Sequence, residues 1–282
     1  MSLNVINSDN YIQAIDLLNR LADPWIKISE WHKTLNNLMT YANEKDTAPG
    51  YLLEIKGKFI FVLLTIEYSR ECNGEKSDFV NFSSLYIERE YQYLAGVVVK
   101  EIIKQYDGYI IMDTTANSDA LKTMKSHGFV QKSNGSMLKF PNSISINTKS
   151  IKRVDDNRAE NYPEYITDHI NMGCLVYEIV GEKKEHCLII LKKVRPVKSI
   201  NCRVVAYLIH CSNHEIFREN ISKIMTKLMF NGIFIVSMPN RDEYDNIGYV
   251  YKRETKQRMS VLGDIQSEHI DWAYTELAIY HY

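Results

Sequence analysis

The apolar residues of this chain change their spacing from helical to alternating and back, and they do so twice in the same order. In the first half, a short apolar run at residues 3–6 precedes Ile12, Ile15, Leu18 and Leu21 at helical spacing, behind a capping signal at Asn7-Ser8-Asp9. Asp23-Pro24 breaks that helix, and a second is predicted over 29–43, with Trp31, Leu35, Leu38 and Met39 on one face and Ala48-Pro49-Gly50 after it. The period then falls to two. Residues 51–55, the turn Lys56-Gly57-Lys58 and residues 59–68 read as a hairpin. Asn73-Gly74 turns the chain into a third strand, 78–87, with Phe79, Asn81, Ser83, Leu85 and Ile87 on one face. Helical spacing resumes at Tyr93 and runs through Leu94, Val97, Val98, Ile102 and Ile103 to Asp107-Gly108. A short buried strand (109–112), a helix (117–127) stopped by Gly128, and a closing hairpin about Ser133-Asn134-Gly135 complete this half.

A polar stretch rich in Asn and Ser, 141–152, marks the expected boundary, giving domains at 1–141 and 142–282. Beyond it a helix is predicted over 160–170, then strands at 174–180, 187–194 and 203–211, with a turn at Gly181-Glu182. Ser212-Asn213 caps a helix that reaches Phe230, with Ile216, Ile221, Ile224, Met225 and Leu228 on its apolar side. Asn231-Gly232 stops it before a buried strand at 233–237, and 249–252 and 274–279 are final strand candidates. The order strand–strand–strand–helix–strand thus occurs twice, which suggests a duplication by order of elements rather than by matching residues. Near the end, Asp271-Trp272-Ala273-Tyr274-Thr275-Glu276 reads either as a functional surface loop or as aromatic residues sealing a small core.

Several partners are argued against by composition. The formal net charge of −1, with both signs interspersed, gives no electrostatic footprint for nucleic acid. No stretch approaches the ~20 apolar residues of a membrane span, so no membrane partner is expected. The start, Met-Ser-Leu-Asn-Val-Ile-Asn, lacks the features of a signal peptide. Five cysteines (Cys72, Cys174, Cys187, Cys202, Cys211) form no Cys-x-x-Cys pair and read as reduced, mostly buried thiols of a cytoplasmic protein. His127, His186, His210 and His214 show no metal-ligand spacing, and no metal is expected.

The stretch from Leu85 to Phe129 carries the chemistry. Gln92-Tyr93-Leu94-Ala95-Gly96-Val97 follows the third strand at the head of a helix, and Asn117, Ala120, Gly128 and Phe129 follow the buried strand. These residues resemble the two motifs of the GNAT (N-acetyltransferase) superfamily: Gln/Arg-x-x-Gly-x-Gly/Ala, and Asn-x-x-Ala leading to Gly-Phe. The resemblance covers about 140 residues; the second half matches in element order only, as a degenerate copy. It implies an α+β fold of two tandem GNAT-like domains, each a mixed, mostly antiparallel sheet flanked by helices.

It further implies acetyl-CoA, or another acyl-CoA, as cosubstrate. The diphosphate would rest on the backbone of Gln92, Tyr93, Leu94, Ala95, Gly96 and Val97, with Asn117 contributing from the second motif. The pantetheine arm would pair along Leu85 and Ile87. A helix start suits an anion because its first amides lack intrahelical acceptors and carry partial positive charge. Small residues such as Ala95 and Gly96 let the backbone approach the phosphates. Gln92 and Asn117 also fit the plainer role of helix caps.

This sequence departs from the family at three points. Tyr93 and Val97 are bulkier than the pattern, and Met124 stands seven residues after Asn117, where the family often has a proton-donating tyrosine. A thioether has no proton to give. The usual base position falls near Asn81 or Ser83, neither of them a base at neutral pH; Glu67 and Tyr86 are the nearest catalytic candidates by strand position. The implied activity is acyl transfer, most simply acetyl, to the primary amine of a small molecule such as an amine or amino sugar, by direct attack in a ternary complex. The opposing reading is an inactive binding or scaffolding protein. A homodimer is left open.

Overall fold

Alternating runs become strands and helical runs become helices wherever each finds a face to bury. The computed structural model describes residues 1–22, 26–72, 75–116, 118–155, 160–194, 205–240, 244, 250–265, 271–275 and 278. The chain clusters into two compact units. One takes Met1–Lys132, Lys256–His269 and Tyr274–His281; the other takes Ser133–Thr255, Ile270–Ala273 and Tyr282.

In the first unit, strands β1 (Ser2–Val5), β2 (Gly50–Ile55), β3 (Lys58–Cys72) and β4 (Glu75–Ile87) lie side by side, each antiparallel to the next. Strand β5 (Ile110–Ala116) joins β4 in parallel, and the end of β12 (Val250–Leu262) pairs antiparallel with β5. Gly50 is forced: a Cβ there would sit 2.4 Å from the Leu63 carbonyl oxygen. Helices α1 (Tyr11–Leu21) and α2 (Ile28–Lys45) cover the sheet face carrying Val62, Leu64 and Ile66, burying Leu17, Leu18, Trp31 and Leu35. On the other face, Phe61, Leu63, Val80 and Phe82 form one core with Val99 and Ile102 of α3 (Ala95–Ile103) and Met124 of α4 (Ser118–Ser126). Each fully buried side chain of this size contributes about 1.5–3 kcal/mol.

In the second unit the strand order is β6-β11-β10-β9-β8-β7, with β6 (Val130–Lys139), β7 (Ile151–Val154), β8 (Leu175–Val180), β9 (His186–Val194), β10 (Val205–Cys211) and β11 (Ile235–Pro239). Here too the helical connection gives the parallel pair, β10 with β11. Helix α5 is Glu164–Asn171, α6 is His214–Glu219 and α7 is Ile221–Phe230. Tyr177, Ile189, Leu191, Leu208, Phe217, Ile224 and Leu228 meet in this unit's core. The architecture is therefore α+β, the strands of each unit mixed, mostly antiparallel and flanked by helices, as the sequence predicts. No helix among the described residues is long and apolar enough to cross a membrane. Cys72, Cys174, Cys187 and Cys211 are free and buried.

Four local expectations change. Ser133-Asn134-Gly135 lies within the single strand β6 and makes no hairpin turn. Strand β5 runs four residues past Met112, to Ala116. The helix predicted up to Phe230 breaks at Asn220, whose backbone N–H and side-chain amide both donate to the Ile216 carbonyl (3.1 and 3.0 Å). Tyr274 and Thr275 lie outside any strand. Asp23-Pro24 and Asn73-Gly74 fall outside the described residues.

Candidate functional site

The site is set by where β4 stops pairing. The parallel ladder matches Phe79 through Phe82 with Ile110 through Asp113 and ends there, although β4 continues to Ile87 and β5 to Ala116. On its other side β4 stays paired with β3, but through a β-bulge: Tyr86 faces Val62 and Ser83 faces Leu64, so Ser84 and Leu85 stand opposite the single residue Leu63. Ser84 takes the left-handed conformation, φ 51°. An extra residue bends a strand and sharpens its twist. The result is a split between β4 and β5.

The bulge also exchanges faces. Before it, Val80 and Phe82 point into the core shared with α3; after it, Leu85 and Ile87 do. The predicted face of Phe79, Asn81, Ser83, Leu85 and Ile87 is thus divided in two. Glu88 donates its N–H to Ile60 of β3 (2.9 Å). By antiparallel alternation, the peptide groups of Ile87 and Leu85 turn the other way, toward the split.

After Ile87 the chain enters a 3-10 turn, Arg89–Leu94, which leads directly into α3. The sequence predicts helical spacing only from Tyr93, so the winding begins earlier than expected. The Glu88 carboxylate anchors its start, meeting Arg20 at 2.7 Å and Lys58 at 2.5 Å. The Lys58 ammonium, and after it Arg20, hold this carboxyl below its usual range against the opposing effect of burial. Neither the 3-10 turn nor α3 has a side-chain cap on its first amides, and the Ala95 N–H goes to the Gln92 carbonyl. Tyr93 is 75% exposed, so its ring does not fill the helix start; Val97 is exposed as well. Leu94 packs against the core and Ala95 is buried. Gly96 has ordinary helical geometry, and an added Cβ would meet only His127 Nε2, at 3.6 Å. Nothing in the fold requires glycine there, although glycine costs a helix about 1 kcal/mol relative to alanine. Asn117 lies outside the described residues.

The two catalytic candidates are not brought together. Tyr86 pairs with Val62 and Glu67 with Val80, five residues apart on β3, which is about 16 Å along a strand. Glu67 is held in packing: its Oε1 accepts from the Ala48 N–H and the Tyr106 hydroxyl, both at 3.1 Å, and its carbonyl accepts from the Tyr41 hydroxyl at 2.8 Å. Tyr86 sits on the split itself, and by alternation from Leu85 and Ile87 it points to the face covered by α1 and α2.

Polar residues lie beside it: Asn81 and Ser83, which the sequence places near the family's usual base position, and Asp113 and Thr114, which it does not single out. Asn81 is fully buried, its Oδ1 accepting from the Thr114 hydroxyl at 3.2 Å, while its Nδ2 is buried with no partner among the described residues. Ser83 and Asp113 are also buried where the strands part. The available signal was Asp113-Thr114-Thr115, a polar run continuing a buried strand. Met124, at the family's tyrosine position, is fully buried in the α3-side core.

No family model and no curated protein sequence matches this chain. Solved structures do. A GCN5-related N-acetyltransferase from Anabaena variabilis superposes with a TM-score of 0.61 at 12% identity, over 92% of this chain and 72% of that one. A putative acetyltransferase from Pyrococcus horikoshii gives 0.60 at 10% identity, over 97% and 92%. The N-myristoyltransferase of Saccharomyces cerevisiae with bound myristoyl-CoA gives 0.54 at 9% identity, over 92% and 81%. Over nearly its whole length, the chain has the GNAT N-acyltransferase fold.

Proposed function

We propose that the first half of the chain, residues 1–141, binds an acyl-CoA, and that the protein transfers its acyl group to the primary amine of a small molecule. The observation that carries this reading is the split: β4 leaves β5 after Phe82 and turns the peptide groups of Leu85 and Ile87 into the gap. An amide-bearing pantetheine arm can pair there as an added strand. The diphosphate would then reach the uncapped helical coil of Gln92–Val97, where Gly96 keeps the backbone close. A yeast protein of the same fold carries bound myristoyl-CoA, which supports an acyl-CoA as the ligand.

In the reaction, the amine nitrogen attacks the thioester carbonyl, a C–N bond forms, the C–S bond breaks, and the proton lost by nitrogen ends on the coenzyme thiol. Tyr86 is the hydroxyl on the split and the group we assign to proton movement. Glu67 shapes the sheet rather than touching substrate. Alignment of the two reactants supplies the main rate advantage. Acetyl is the simplest acyl group that fits this scheme.

Met124 favours a second reading, binding without turnover, because its burial leaves no proton donor at the family's usual place. One experiment separates the two. Acetyl-CoA at ~100 times its dissociation constant stabilises a binding protein by about 2.7 kcal/mol. A thermal shift of that size with thiol release across an amine panel supports the enzyme; the shift without release supports the binding protein; no shift with any acyl-CoA refutes both.

A further inference from the structure

The second unit repeats the split and then closes it. Its parallel ladder, β10 with β11, ends at Tyr207 opposite Ser237, while β10 continues to Cys211. Two residues past the end of the ladder, β10 carries a bulge: Leu208 faces Leu191, His210 faces Ile190, and Ile209 is extra. In the first unit the ladder ends at Phe82 and Ser84 begins the bulge, at the same offset.

A segment from near the end of the chain lies at this place. The Trp272 N–H donates to the Ile209 carbonyl at 2.9 Å. The Asp271 carboxylate meets His210 Nδ1 at 2.6 Å and accepts the Ala273 N–H at 2.9 Å. The Trp272 indole is 2% exposed and stands edge-on to Tyr207, 5.6 Å between ring centres. The helix that follows β10 is closed too. Asn213 Oδ1 accepts from the N–H groups of Glu215 and Ile216, both at 3.1 Å, taking the amides that an anion would otherwise meet.

We infer that the second split is a binding site for a segment of the chain itself, with Asp271, Trp272 and Ala273 lodged where the first unit takes the acyl-CoA arm. Ile209 supplies the strand-like bond, His210 the charge-assisted one, and Tyr207 a wall for the indole. The consequence is one acyl-CoA per chain, and this consequence rests on the proposed function.

Hydrogen–deuterium exchange on the full chain reads the lodging directly. In the wild type, the amides of Trp272 and Ala273 should be protected like those of a strand. Asp271→Asn and His210→Ala should each speed exchange at Trp272 by about tenfold or more, the scale of losing one charge-assisted bond, and leave β4 unchanged. Exchange of the wild-type Trp272 and Ala273 amides at the rate of an unstructured peptide overturns the inference, and needs no variant to fold. Titration with coenzyme A alone adds the second arm. A stoichiometry of one supports the inference; two overturns it. No binding, with Trp272 protected, removes the acyl-CoA reading and leaves the lodged segment standing.

Discussion

Ser84→Val tests whether the bulge that opens the first split is real and costly. Ser84 sits at φ 51°. A β-branched side chain resists that conformation and should cost roughly 1–2 kcal/mol more than serine. The strand has an alternative: expel the extra residue and pair regularly with β3. That slip would carry Leu85 and Ile87 to the opposite face, away from the core they pack against. Both are half-buried, so losing about half of a full burial each costs roughly 1.5–3 kcal/mol. Strain is the smaller loss, so the bulge persists. The melting temperature should fall by about 2–8 °C, at some 2–4 °C per kcal/mol. Coenzyme A binding should stay within a few-fold of wild type. Ser84→Gly relieves about 1–2 kcal/mol of conflict and loses about 0.4–1 through a freer unfolded chain, so it should melt slightly higher. A valine variant as stable as wild type, beside a destabilised glycine variant, would mean that β4 is regular at Ser84 and that the split has another origin.

Gly96→Ala should raise stability by about 1 kcal/mol, since the helix gains propensity and the added methyl meets His127 only at ordinary contact distance; a lower melting temperature would contradict this. Glu88 has a folded pKa below the ordinary 4.5, so its contribution is complete above that pH and is lost as pH falls through the lowered value. Glu88→Gln should therefore flatten the acid limb of stability below about pH 4.5, measured by urea unfolding at stepped pH. His169 is fully buried, and burial pushes its pKa from 6.5 down to about 4 while its Nδ1–H donates to the Tyr165 carbonyl at 2.7 Å. The folded state stays neutral while the unfolded chain takes up a proton, so stability is complete above pH 6.5 and falls by about 3 kcal/mol on the way to pH 4. His169→Leu should abolish that slope, and an unchanged slope would place the titrating group elsewhere.

Local chemistry was legible where one residue decides the backbone. Lys56-Gly57 makes the predicted tight turn, both residues at positive φ, and Asn213 caps its helix as Ser212-Asn213 suggests. The element order survived because each helical run has one face to bury and each strand run is bounded by turn residues, although β3 is buried on both faces from Ile60 to Ile66. The bulge left only a faint trace in the pattern. The apolar phase passes from Val80 and Phe82 to Leu85 and Ile87 across Ser83-Ser84, but serine, unlike glycine, gives no sign of a left-handed backbone. Strand β5 was cut short at Met112 because Asp113 and Thr114 look like a loop, yet both are buried beside β4. Glu67 stood as a catalytic candidate by strand position because Ala48 and Tyr106, which its carboxylate engages, lie 19 and 39 residues away in sequence. The segment proposed for the cofactor was picked out by motif, but its 3-10 winding follows a Glu88 held by Arg20 and Lys58, a tertiary contact that no local pattern carries.

A bulge beside a parallel ladder leaves a debt of backbone groups, and the two units settle it differently. A buried or half-buried peptide group that faces a gap must find a hydrogen-bond partner or lose about 1–3 kcal/mol. In the second unit the Ile209 carbonyl is such a group, and the chain answers it with the Trp272 N–H. In the first unit the peptide groups of Leu85 and Ile87 face the split beyond the last rung at Phe82, and no rung with β5 reaches them among the described residues. A fold that keeps the same costly bulge in both places, and fills it from its own sequence in one, leaves the other suited to a ligand that brings amides of its own. A pantetheine arm, with two amides along an extended chain, meets that requirement, and a purely apolar ligand of the same length does not.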